Sequence, residues 1–596
     1  MENNKPYKFI DRNLNIIKKS GSYENIYKSF KYEIPEYFNI GLEVCDYYAN
    51  DPNKMNNIAI KHIYDTDDKQ ILKEYTFKEI KIKSNQLANK FKEIGLNKKG
   101  EVVGVFLTQG IECALSHITI LRSGFIGLLL SVLFGPEALE YRISSSSASC
   151  VITDLDNIHK LLKVVPNLPS LKKIIVFGDN LNSINYSKHK NIVELWNENI
   201  CNNYSKEFEP IITKSNEPAY LIYTSGTTGL PKGCLHAHRV LIGNNVGLQF
   251  TLNLFPQNTV SVTENCYYSP ADWAWIGGLL VVFLPSLYFG VPLLAYKSKG
   301  PFDAKKLLTL VKTHNVTMSF LPPSALKMIK FQKDQLKDHK INNMLAINSG
   351  GESLGENLLV WSKDQFGVEV AEFIGQSEGN FITGNCLDLF PPKNGSMGKP
   401  IPGSNVRILN DNGERVPHDE VGYLCIEFTG DNANQFLGYW NDPSSTEKRM
   451  IFSKESGTKW IKTGDLAKED SDGYFWYIGR DDDVINSSGY RIGPNEIEGC
   501  LLKHPLILNV AVIGIPDEIR GEVVKAYIVL NQSVTPSQEI KKEIQNYVKT
   551  QLSAHQYPRE IEFINPNEMP ITTTGKIMRN SLRQLHKMKS NNKSKI

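Results

Sequence analysis

The sequence is poor in the features that mark a metal site, a disulfide scaffold or a nucleic-acid binder. Its nine cysteines, at positions 45, 113, 150, 201, 234, 266, 386, 425 and 500 of 596, form no C-x-x-C pair and keep no zinc-like spacing to a histidine. Isolated thiols in odd number fit a reducing compartment. Charge of one sign is nearly absent, since 67 Lys and Arg face 64 Asp and Glu for a net of +3. Domains that bind nucleic acid carry a strong basic excess, so no nucleic-acid partner is expected and small molecules are. The opening stretch MENNKPYKFIDRN lacks the apolar core of a signal peptide, which makes the cytoplasm the expected location. The closing Ser594-Lys595-Ile596 differs by one residue from the peroxisomal Ser-Lys-Leu address and keeps that compartment as the alternative.

Long apolar runs are also scarce. One stretch, residues 276–296, has 21 residues without a charge, enough to span a bilayer. Pro285, Gly290 and Pro292 interrupt it. The reading is therefore a helix ending near Leu284, a turn, and a buried strand over 291–296, with no membrane span.

What the chain does have is length, with 41% hydrophobic residues. At roughly 100–200 residues per domain it holds several. Short apolar strands alternate with amphipathic helices: 102–107 then 113–123, 150–153 then 159–164, 173–177, and 220–223 before a helix from about Ala237. This predicts βαβ units in largely parallel sheets. After about Lys399 short strands at 406–409, 422–428 and 474–478 are separated by DNG, TGD and SDG turns, predicting antiparallel structure or a small barrel. The charged run Gly479-Arg480-Asp481-Asp482-Asp483 precedes a last unit with helices over 494–503 and 537–552 and strands over 509–513 and 523–530. The expected fold is α/β: an N-terminal domain of doubly wound sheets plus a small β-barrel over 1–479, a hinge at 480–483, and a smaller α+β domain over 484–596. The basic tail from His586 is expected to fray.

The segment YLIYTSGTTGLPKG, residues 220–233, carries the most chemistry. Its glycines let backbone N–H groups approach an anion, its hydroxyls donate further hydrogen bonds, and Lys232 adds a point charge. This is a polyphosphate cradle placed between a strand and an expected helix. It is not a P-loop NTPase motif, because Pro231-Lys232-Gly233 stands where Gly-Lys-Ser/Thr would be needed.

Residues 223–233 resemble the phosphate loop of the adenylate-forming (AMP-binding) superfamily, which includes acyl-CoA synthetases, adenylation domains and luciferases. Residues 134–140 (FGPEALE) and 271–275 (ADWAW) resemble its acetyl- and medium-chain acyl-CoA synthetase branch. Gly350-Gly351-Glu352, Gly375-Gln376-Ser377-Glu378, Thr463-Gly464-Asp465, Gly479-Arg480, Ser488-Gly489-Tyr490-Arg491 and Thr574-Gly575-Lys576 follow in the family's order. The resemblance implies an ATP-dependent, AMP-forming acyl-CoA synthetase. A carboxylate attacks the α-phosphate of ATP, pyrophosphate leaves, and the thiol of coenzyme A then displaces AMP.

The resemblance also assigns residues. Thr224, Ser225, Gly226, Thr227, Thr228, Gly229 and Lys232 hold phosphates. Gly351, Glu352, Ile374, Gln376 and Ser377 contact the nucleotide, and Asp465, Arg480 and Arg491 hold its ribose and phosphate. Glu378, a hard oxygen donor, would help hold Mg²⁺. Lys576 would bridge the carboxylate and the α-phosphate. Asp482 matches the pivot about which the mobile C-terminal domain turns, and Ser488, Gly489 and Tyr490 would line the coenzyme A channel.

Two departures refine this. Relatives carry an aromatic residue where Ile374 stands, so adenine stacking loses about 0.5–1.5 kcal/mol. Gly375 replaces a Trp of the acetate enzymes, and Gly277 and Gly350 are also small, so the acyl pocket, lined by Trp275 and Ile276, is expected to admit acids longer than acetate. The alternatives are an enzyme loading a separate carrier protein, an acetate or aryl-acid ligase, or a non-catalytic nucleotide binder, which would be expected to lose Lys576, Glu378 or Asp465. Oligomeric state is left open by the sequence.

Overall fold

The computed structural model describes residues 7–593 apart from 14–16, 19–20, 67–68, 225–229, 257–260, 299, 301, 353, 455, 482, 488–489, 518–519, 532–533, 553–555 and 573–575. The alternating pattern folds into two large sheets. One has eight strands, in the order Gly438–Tyr439, Lys232–Ala237, Pro218–Thr224, Ile126–Leu129, Val102–Phe106, Cys150–Asp154, Lys173–Phe177 and Val193–Trp196. It is parallel except at the edge formed by its first two strands. The other has nine, with Ala346–Gly350 and Val370–Gln376 parallel near one end and the hairpin partner Asn380–Gly384 beyond them.

Helices fill the space between the sheets. Ile111–Arg122 buries every residue except Glu112, and Val240–Thr251 buries all of its residues. The first packs on the eight-stranded sheet and the second on the nine-stranded one. Helices without a polar outer face belong in a core. The charge-free run packs among them: residues Gly277–Phe283 form a π-helical stretch that continues as the α-helix Leu284–Phe289. The helix thus runs one turn past the expected stop at Leu284. Pro285 lies inside this continuous helix, where its missing N–H removes one rung without ending the helix, and the stop comes at Gly290, left-handed at φ 73°. The strand follows at Leu293–Lys297. Among the described residues no helix is long and apolar enough to cross a membrane.

Beyond Lys399 the predicted antiparallel texture forms a five-stranded sheet of Val406–Leu409, Gly422–Glu427, Lys459–Glu469, Met450–Phe452 and Phe475–Arg480. A second five-stranded sheet, in the last unit, pairs Ile507–Asp517 with Gly521–Leu530 under the helices Pro494–Leu501 and Gln538–Gln551. The described part of the tail, expected to fray from His586, continues the helix Arg579–Lys593, whose Leu582 is buried. All nine cysteines are free and buried.

An N-terminal strap crosses this body. The Arg12 guanidinium lies 3.8 Å from the ring centres of both Tyr47 and Tyr288 and pairs with Glu43 at 2.7 Å. Further on, the Tyr23 hydroxyl donates to the Pro400 carbonyl at 2.7 Å and the Tyr27 hydroxyl to the Ser404 carbonyl at 2.9 Å.

Candidate active site

The phosphate loop departs from expectation in its second flank. It links two antiparallel strands, Pro218–Thr224 and Lys232–Ala237, and the helix begins only at Val240. The glycine-rich segment is therefore flanked by two antiparallel strands and does not lead directly into a helix. Residues 225–229, which include Ser225, Gly226, Thr227, Thr228 and Gly229, lie outside the described residues. At the hairpin's base Thr224 pairs with Lys232, whose exposed ammonium stands 5.4 Å from the Tyr439 ring centre.

Tyr439 reaches this place because Gly438–Tyr439 pairs with Cys234 and Leu235, while the Trp440 N–H bonds the Gly233 carbonyl at 2.7 Å. Its hydroxyl donates to Glu378, and Arg449 approaches the same carboxylate oxygen at 3.7 Å. Glu378 is thus buried with one oxygen engaged. Tyr439 and Arg449 were not foreseen, for neither lies in a glycine-marked segment; only burial of a lone carboxylate demands partners for it.

Asp465 lies inside the long strand Lys459–Glu469. Between the pairs Cys425–Lys462 and Tyr423–Leu466 the residues 463–465 bulge opposite one partner residue, and Gly464 turns left-handed at φ 79°. The bulge directs Asp465 toward Arg480, whose Nη1 donates to it at 3.0 Å, while the Gln376 amide lies 3.4 Å from its other oxygen. Burial pushes the Asp465 carboxyl up, and the Arg480 and Lys576 cations pull it back.

Lys576 comes from the other domain. It extends beside Gly351, where an added Cβ would lie 3.9 Å from its Cε. Gly351, at φ 104°, can present its backbone only without a side chain. Glu352 pairs with Lys327 at 3.1 Å. Ile374 packs against the cluster of Ile382, Met397 and Phe475, and Ser377 follows Gln376 as that strand ends. Arg491 and Tyr490 lie in the strand Tyr490–Ile492, while Asp482, Ser488 and Gly489 fall outside the described residues.

The glycines of the predicted acyl pocket do not leave the space expected of them. A Cβ at Gly277 would sit 2.8 Å from the Phe320 ring, and one at Gly350 2.8 Å from the Phe373 ring. At Gly375 it would collide with the Asn380 carbonyl oxygen. Phe320 and Phe373, with ring centres 5.9 Å apart, fill the volume instead. Trp275 meets Phe134 edge-on at 5.8 Å, and Ile276, half-buried, packs against the core. Neighbouring Trp273 is fully buried and stacks on Phe283.

Two doubly wound sheets, a small antiparallel sheet, and a separate domain that extends a lysine into the cleft make up the architecture of adenylate-forming enzymes. The chain belongs to the AMP-binding enzyme family: that family's model matches residues 53–440, and the model of the AMP-binding enzyme C-terminal domain matches 496–576. It is 33% identical over 573 residues to the mitochondrial acyl-coenzyme A synthetase ACSM3 of Rattus norvegicus, covering 94% of this chain and 93% of that one. It is 31% identical to the acetyl-coenzyme A synthetase of Bacillus subtilis, covering 91% and 90%. The crystal structure of the anthranilate CoA ligase AuaEII in complex with anthranoyl-AMP superposes with a TM-score of 0.79 at 26% identity, over 94% of this chain and 99% of that one. With these relatives, the protein is an AMP-forming acid–CoA ligase.

Proposed function

We propose that this ligase activates a short- to medium-chain carboxylic acid longer than acetate, with ATP as the adenylating substrate and free coenzyme A as the acceptor. The observation that carries the reading is the reach of Lys576 into the cleft: its stem lies beside Gly351 and its charge acts on Asp465. In the first step the acid's carboxylate oxygen bonds to the α-phosphorus as the bond to pyrophosphate breaks. In the second the thiolate of coenzyme A attacks the acyl carbon and AMP leaves. Charge gathers at phosphorus in the first step, so catalysis is positioning and electrostatics.

In this reading Lys576 bridges the carboxylate and the α-phosphate, and Lys232 with the loop from Thr224 holds the β- and γ-phosphates. Asp465 accepts the ribose hydroxyls on the oxygen facing away from Arg480. Gly351, Glu352, Ile374, Gln376 and Ser377 form the nucleotide's walls, with Arg491 at its phosphate. Glu378 would fit Mg²⁺ as a single-carboxylate ligand, a hard oxygen donor whose Oε1 is held by Tyr439, and the described residues offer no cluster of three metal-ligating side chains. Such an ion would supply neutralisation of phosphate charge. The domain division at 480–483, with Asp482 as pivot and Ser488, Gly489 and Tyr490 along the thiol channel, belongs to the same reading. So does a cytoplasmic location, favoured by nine reduced, buried thiols.

The relatives include both an acyl-coenzyme A synthetase and an acetyl-coenzyme A synthetase at similar identity, so chain length is the point to test. AMP release measured with coenzyme A across acids from C2 to C12 and benzoate tests this: preference for acetate overturns the chain-length reading. Lys576→Ala is expected to lower pyrophosphate release by about 10²–10³-fold, the scale of one lost transition-state contact, while ATP still binds. An unchanged rate would refute the mechanism.

A further inference from the structure

We propose that Arg579 and Glu498 are the positioning residues that aim Lys576 into the cleft; this rests on the adenylating role given to Lys576 above. A lysine stem carries about 2 kcal/mol of rotamer entropy, so its backbone must be fixed for the ammonium to be placed. The turn that bears it is closed on itself. The Lys576 N–H bonds Thr572 Oγ1 at 3.0 Å, the Thr572 N–H bonds the Lys576 carbonyl at 2.7 Å, and Ile571 bridges Ile577. Yet this turn stands proud of the core, with Ile571 55% and Met578 41% exposed. Something beyond the turn must set its direction.

Arg579, three residues on, does so. Its Nη2 donates to both oxygens of Glu498, at 2.9 and 2.7 Å, and to Asn495 Oδ1 at 3.1 Å. Its Nε donates to the Val512 carbonyl at 3.2 Å, and its Nη1 lies 3.5 Å from Asp483. Glu498 in turn accepts the Val512 N–H at 2.7 Å. One guanidinium thus fastens the start of the helix Arg579–Lys593 to the helix Pro494–Leu501, to the strand Ile507–Asp517, and to the residue that follows the pivot. Arg583, one turn further along, holds the other Asp483 oxygen at 2.7 Å. A largely buried ion cluster of this kind adds little net stability over apolar packing, and its attested use is to fix geometry. Here the geometry it fixes is the base of the Lys576 turn. Asp483 belongs to the same cluster, so the residue that follows the proposed pivot is tied to the base of the lysine turn.

The test uses the full-length protein and measures the half-reactions apart: acid-dependent exchange of pyrophosphate into ATP, and thioester formation from added acyl-adenylate and coenzyme A. Arg579→Lys keeps the charge but loses the fork, and Glu498→Gln keeps the shape. Each is expected to lower exchange kcat about tenfold or more, because small misplacement of a catalytic group is costly. KM for ATP and the thioester step should stay within about twofold, since the second step does not use Lys576. Equal loss of both half-reactions in a variant whose circular dichroism is unchanged, or no loss in either, overturns the proposal. Should either variant fail to fold, Asp483→Asn leaves the Arg579–Glu498 fork in place and is expected to give a smaller loss confined to exchange; its absence overturns the proposal equally. Lys576→Ala is run alongside. If it exchanges normally, the role of Lys576 fails; if it is inactive while Arg579→Lys and Glu498→Gln exchange at the parent rate, only the positioning fails.

Discussion

A methyl group at position 375 has nowhere to go but into the Asn380 carbonyl, across the hairpin that carries Gln376 and Ser377. Gly375→Ala is therefore expected to destabilise the protein by about 1–3 kcal/mol, lowering its Tm, and to reduce turnover for all acids alike. A shift toward acetate with Tm unchanged would return Gly375 to the acyl pocket. The residues whose chemistry is intrinsic were legible in the sequence. Asp465 in its Thr-Gly-Asp setting and Lys576 in its Thr-Gly-Lys setting both reach the cleft. The partners set by tertiary packing were not. Arg449, Lys327 and Phe320 come from ordinary stretches, and nothing local distinguishes them from solvated or core residues. A small residue in a sequence can equally mean a hole or a close approach, and only the neighbour's position decides which.

At the scale of elements, the strand Val370–Gln376 carries a buried carboxyl that the reaction does not use. Glu372 accepts the Leu354 N–H at 3.0 Å and so ties the strand to the loop that begins with Gly351 and Glu352. Burial pushes its carboxyl from 4.5 up to about 7. The folded protein therefore holds a proton that the unfolded chain gives up near its ordinary value. The stability this contributes is complete below about pH 4.5 and is lost as pH rises through about 7, on the order of 3 kcal/mol in all. Glu372→Gln keeps the acceptor for Leu354 without the proton. Its Tm should match the parent's at pH 5 and exceed it at pH 8; parallel Tm profiles would show that Glu372 stays ionised. The strands and helices of the βαβ pattern were themselves readable, because hydrophobic period and turn residues agree there. The hairpin after the phosphate loop was not, since Lys232–Ala237 is too short and mixed to be told from a helix start. The described tail residues to Lys593 continue a helix whose N-terminal part is anchored by the buried Leu582 and the partly buried Leu585.

For the whole molecule, an exposed ion pair, Lys503 with Glu356 at 3.0 Å, joins the last unit to the body. Both side chains are about half exposed, 49% and 48%, so the pair is weak and is screened by salt. Glu356→Lys is expected to slow pyrophosphate exchange by less than about fivefold at low salt, with the difference vanishing at high salt and thioester formation undiminished. A salt-independent loss would assign the effect to something other than this charge. The N-terminal strap has a consequence of another kind, for it concerns the order in which the molecule can be made. The Tyr23 and Tyr27 hydroxyls bond carbonyls 377 residues further along the chain. At about 5–20 residues per second the ribosome takes roughly 20–75 s to deliver those acceptors. For that interval the Tyr23 and Tyr27 hydroxyls lack these acceptors, so this part of the strap settles only after residues made much later are in place.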